Sequence, residues 1–119
     1  MRYREPEPAA RSLLIFRGPT GDPTVEAQLT GDGDLRLMSI RRDGVWMYSE
    51  IDTIGWWTWH TVRRADLPEL VGQVDDVLAA VQAAVAPADD EVGVVRRFEA
   101  WLNERGVPYT QDSWDEHEP

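Results

Sequence analysis

The sequence predicts an α+β domain, an antiparallel β-meander of four to five strands followed by two C-terminal helices packed on the sheet. Three observations predict it. Short apolar stretches separated by Gly, Asp and Pro fill residues 11–64. An Asp43-Gly44 pair sits between two of them, which is the pattern of a tight hairpin. From Leu67 onward the apolar residues recur at helical spacing instead. With 119 residues, 42% of them hydrophobic, one domain with a real core is expected.

In chain order, MRYREPEPAA reads as a flexible leader over residues 1–10, because Pro6 and Pro8 oppose regular structure. The domain proper is expected over 11–108. Ser12 to Phe16 forms a first strand, and the Gly18–Pro23 stretch turns the chain. Val25, Ala27 and Leu29 alternate with Glu26, Gln28 and Thr30, a strand with one buried face. Thr30-Gly31-Asp32-Gly33 turns it again.

Leu35–Arg42 and Val45–Asp52 then flank Asp43-Gly44. A two-residue loop of this type fixes the register, pairing Arg42 with Val45, Arg41 with Trp46, Ile40 with Met47, Ser39 with Tyr48 and Met38 with Ser49. One face then carries Met38, Ile40, Val45, Met47 and Ile51 and reads as core. The other carries Leu35, Leu37, Ser39, Arg41, Trp46, Tyr48 and Glu50. The last strand runs from Trp56 to Arg63, rich in Trp, Thr and Val. Ile54, Trp56 and Val62 are expected on the core side. Trp57 and Trp59 then join Arg41, Trp46 and Tyr48.

Leu67, Leu70, Val71, Val74, Val77, Leu78, Val81 and Val85 describe one long helix, with Asp66 as N-cap and Pro87 as its end. A second helix is expected from about Asp90 to Arg105, with Val94, Val95, Phe98, Trp101 and Leu102 as its apolar stripe. Gly106 and Pro108 stop it. Residues 109–119 read as an acidic, polar tail.

Several chemistries are disfavoured. The chain has no cysteine, so disulfides and thiolate metal sites are excluded. All 12 basic residues are arginine, which removes lysine bases and Schiff-base chemistry. His60 with Glu50 and Asp52 would have metal-ligand character, but strand parity sets His60 opposite the two acids. Gly31-Asp32-Gly33-Asp34 lacks the spacing and distal Glu of a calcium loop. Ser39 and Ser49 have no base near them in sequence. No enzyme activity, cofactor or metal is expected. The only apolar run near the start, Leu13–Phe16, is too short for a signal-peptide core or a membrane span. A cytoplasmic location is the expectation.

Net charge is −10, and it is uneven. Residues 35–64 carry five Arg against three acids, whereas residues 65–119 carry three Arg against thirteen acids. The middle is aromatic and mildly basic; the C-terminal half is strongly acidic. Trp, Tyr and Arg dominate protein interfaces. Arg41, Trp46, Tyr48, Trp57, Trp59 and Arg63 are therefore the candidate partner-binding set. The same face is alternatively covered, either by the second helix, with Phe98 and Trp101 as partners, or in a homodimer.

The segments LRLMSIRRDGVWMYSEID and TVRRADLPELVGQVDDVLAAV, with Asp75-Asp76 inside the helix, loosely resemble the single-stranded-DNA-binding transcriptional coactivator family. The resemblance covers residues 35–85 and is one of topology. It implies a four-stranded sheet, a C-terminal helix, dimerisation and a basic aromatic sheet face for DNA. This chain departs from that pattern in having no lysine, few basic residues on the sheet and an extra acidic helix. Two functions are thus expected: an acidic, non-enzymatic protein-binding module (adaptor, inhibitor or immunity-type protein) for a basic partner, or a single-stranded nucleic-acid binder using the aromatic and arginine face. The acidic excess favours the first.

Overall fold

The computed structural model describes residues 9–18, 24–41, 53–72, 76–86 and 90–117. Among the described residues, five antiparallel strands form one sheet in the order β1-β2-β3-β4-β5, each beside its neighbour in sequence. They are β1 (Ala9–Arg17), β2 (Thr24–Thr30), β3 (Leu35–Arg41), β4 (Thr53–Val62) and β5 (Thr110–His117). Between β4 and β5 run a 3-10 turn (Arg64–Asp66) and three helices, α1 (Leu67–Val71), α2 (Val77–Val85) and α3 (Glu91–Glu104). The α+β class and the helices on the sheet are as the sequence predicts. No helix among the described residues is long and apolar enough to cross a membrane.

Strand β2 buries its alternating apolar side as expected at Val25 and Ala27, but Gln28 and Thr30 on the other side are buried too and Leu29 is only partly so. Val25 and Ala27 are fully buried beneath the helices, in one cluster with Leu35, Leu37, Val62, Leu70, Leu78, Val81, Val94, Phe98 and Leu102. The β2–β3 turn is closed by Gly33 N donating to Thr30 O at 2.9 Å. Gly33 holds φ at +91°, a backbone conformation that favours glycine, with the side chain of Arg64 lying over it. Asp34 accepts from Arg64 N at 2.8 Å, which ties this turn to the start of the helical half.

Four expectations are corrected. The first is the tight hairpin. Met38, Ser39 and Ile40 pair with Glu26, Val25 and Thr24 on one edge and with Trp59, Thr58 and Trp57 on the other. Both edges of β3 are therefore taken by β2 and β4 at these positions, which is not the register the hairpin implies. Arg41 pairs with Trp56, not Trp46. The Asp43-Gly44 turn and the Val45–Asp52 strand lie outside the described residues.

The second is the choice of core face. Leu35, Leu37 and Val62 lie under the helices, whereas Met38, Ile40 and Trp59 form a separate cluster on the opposite face. The third is the long helix. Gly72 takes φ +65° and donates to Pro68 O at 2.9 Å, ending α1 after five residues. A new helix starts where Asp76 accepts from the amides of Leu78 and Ala79. Asp66 precedes α1 as expected but makes no side-chain cap.

The fourth is the tail. Thr110–His117 forms β5 and pairs with β4 from Thr53 to Thr61. At the other end, β1 begins at Ala9, inside the expected leader; residues 1–8 lie outside the described residues. The second predicted helix is α3, and the acceptor of its cap is Asp90, bonded by Gly93 N at 2.7 Å. Val94, Phe98 and Leu102 of its predicted stripe are buried; Val95 and Trp101 are partly so.

Candidate functional site

The alternation of β4 and β5 puts Thr58, His60, Gln111 and Ser113 on the helix-covered face, since His60 pairs with Gln111 and Thr58 with Ser113. Ser39 pairs with Thr58 and belongs to the same face. Above them, α3 lays down two adjacent stripes. Val94, Phe98 and Leu102 enter the core. Glu91, Val95 and Glu99, again four residues apart, run beside them toward the β5 side.

An open groove of about 410 Å³ lies between this second stripe and the sheet. Its floor is Ser39, Thr58, His60 and Gln111. Its helical wall is Glu91, Val92, Val95, Arg96 and Glu99. The volume is in the range of small-ligand and side-chain pockets.

Two polar contacts join the floor to the wall. His60 is only 2% exposed, and its Nε2 lies 2.9 Å from Oε2 of Glu99. An ionised carboxylate can only accept, so this ring nitrogen is the donor. The ring packs edge-on to Phe98 at 6.2 Å between centroids and against Tyr109 at 5.5 Å. Ser39 Oγ donates to Oε2 of Glu91. The serine and the histidine thus each meet a different glutamate of α3, and no hydrogen bond joins Ser39 to His60. The nucleophile–base contact that activates a serine is not formed. No group of three or more His, Cys, Asp or Glu side chains among the described residues is placed to hold a metal.

Of the candidate set from the sequence, Trp59 and Arg63 do not line this groove. Trp59 is 6% exposed and packs with Met38 and Ile40 on the far face, away from Phe98 and Trp101. Its ring is not offered to a stacked base. Trp57 pairs with Ile40 and Trp114 along the ladder, and Arg41 with Trp56, so the expected grouping of Arg41 with Trp57 and Trp59 does not follow from this register. Arg63 is exposed just after β4. Trp46 and Tyr48 lie outside the described residues.

His60, Glu91 and Glu99 were the residues to find. The signal was the second stripe on α3, with acids at positions 91 and 99 around Val95. His60 also alternates with Val62 on a strand whose Val62 is core. Comparison of the chain with models of protein families, with curated proteins and with solved structures finds no match.

Proposed function

We propose that the chain is a non-enzymatic binding module for a basic protein partner, and that the partner docks where α3 and β5 frame the groove. The observation that carries this reading is the placement of Glu91 and Glu99 along one wall of an open groove, beside an acidic strand. Among the described residues Arg96 is the one arginine that lines it. Residues 110–117, TQDSWDEH, hold three acids and no arginine. The excess negative charge of the whole chain, −10, speeds the encounter with a cation, and the local groups then set the register.

The test separates local from global charge. Poly-lysine is titrated into the protein and into two charge-matched double variants. Glu91→Gln with Glu99→Gln removes the groove acids. Asp32→Asn with Glu69→Gln removes two exposed acids elsewhere. Affinity is expected to fall with salt, and several-fold more in the groove pair than in the control pair. Equal losses in both pairs would mean that only net charge matters, and the proposed site would be wrong.

A further inference from the structure

We infer that an extended basic segment of the partner adds to β5 as a sixth strand of the sheet and sends alternate side chains toward Glu99. This rests on the binding-module reading and states how the partner is held.

Among the described residues β5 has β4 on one side and no strand on the other. Its ladder to β4 is regular from Gly55 to Thr61, with its one shift between Thr53 and Gly55. A regular edge strand presents a row of unpaired N–H and C=O groups to any chain that can lie beside it. Thr110, Gln111, Asp112 and Ser113 are all exposed.

The other edge of the sheet is different. The β1–β2 ladder shifts register twice, between Ala9 and Arg11 and between Leu14 and Phe16. Such bulges twist an edge away from further pairing. Strand β1 also carries Arg11 and Arg17 and no acid. The edge that is straight is the acidic one, and the edge that is bulged is basic.

Charge selects the occupant. A second copy laid along β5 through its own β5 would set acids against acids, which is unfavourable across a ladder. A basic segment gains instead. Residues of the added strand opposite Gln111 and Ser113 fall on the groove face, because paired residues share a face. From there a Lys or Arg side chain spans the width of β5 to the carboxylate of Glu99, which bonds His60 one strand further in. The residue opposite Asp112 meets that exposed carboxylate directly on the other face.

The experiment uses the full chain and a fluorescein-labelled peptide of alternating Lys and Thr, matched to the 8 residues of β5. A fully N-methylated peptide of the same sequence keeps the charge and loses every backbone donor. Anisotropy should show the unmodified peptide binding about tenfold or more tightly than the N-methylated one, since several ladder bonds are lost. Glu99→Gln should weaken the unmodified peptide several-fold more than Glu69→Gln, an equal change of charge at an exposed acid away from β5. Equal binding of the two peptides would overturn strand addition while leaving a charge-driven partner in place. Binding by neither would also overturn it, and the poly-lysine titration would then judge the functional reading alone. Sedimentation showing that the free protein already self-associates, with association lost in Asp112→Lys, would assign the edge to a second copy and overturn the inference.

Discussion

On the helix-covered face of the sheet, Leu35, Leu37 and Val62 are at most 1% exposed and pack against Val94, Phe98 and Leu102. On the opposite face Met38 and Trp59 are nearly as buried and pack with Ile40, and among the described residues polar side chains are buried on that face as well. Arg36 and Gln28 are buried there too, with Arg36 Nε donating to Gln28 Oε1 at 2.8 Å and Gln28 Nε2 donating to Glu26 at 3.1 Å. The same strands thus bury two kinds of surface. One face is held by aliphatic area, which is non-directional. The other, among the described residues, is held by the small cluster of Met38, Ile40 and Trp59 and by a hydrogen-bond chain whose members must all be satisfied. Burial alone does not say which face is the core.

The comparison breaks first on large-to-small substitutions. Phe98→Ala empties a site with no exposure at the centre of the main cluster, and should cost about 3–5 kcal/mol. Met38→Ala, in the smaller apolar cluster among the described residues, should cost about 2 kcal/mol, at the low end for such changes. Urea denaturation followed by tryptophan fluorescence measures both. Equal costs would make the two faces equivalent cores.

The polar chain gives the next effect. Gln28→Leu keeps the apolar volume but takes the acceptor from Arg36 Nε. A lost hydrogen bond to a charged group predicts a loss of about 1.5–3 kcal/mol. An apolar gain instead would show that this face tolerates area in place of hydrogen bonds, and the contrast would collapse.

The sequence made one side of this contrast legible and hid the other. The period-two pattern of β2 and the stripe of α3 are unambiguous, because each has a single apolar face. The run Leu35-Arg36-Leu37-Met38-Ser39-Ile40 is not, since it carries apolar residues of both parities. A strand buried on both faces loses its alternation, so the register of the Asp-Gly loop alone points to the wrong face. Strand β5 was hidden for another reason. TQDSWDEH has one apolar residue and no periodic signal; β4 makes it a strand by pairing with it. The groove was hidden most deeply. His60 meets Glu99 across 39 residues of sequence and Ser39 meets Glu91 across 52, contacts that only the folded chain brings together.

The smallest effects test how the helical layer is fastened to the sheet. Asp76 Oδ1 accepts from the amides of Leu78 at 3.1 Å and Ala79 at 3.3 Å, and lies 3.6 Å from Arg11 Nη2 of β1. One carboxylate thus caps α2 and ties it to the sheet edge. These two roles differ in strength. The cap satisfies amides that the helix leaves without partners, and Asp76→Ala should cost about 0.5–2 kcal/mol. The ion pair is half exposed on both sides, 58% and 48%, so Arg11→Ala should cost no more than about 0.5 kcal/mol. Asp76→Asn separates them, because it keeps an oxygen for the cap and removes the charge. Its loss should match that of Arg11→Ala and fade in high salt, while that of Asp76→Ala persists. If Asp76→Asn proves as costly as Asp76→Ala, charge rather than capping holds α2 against β1, and the helix-covered face would owe part of its order to electrostatics after all.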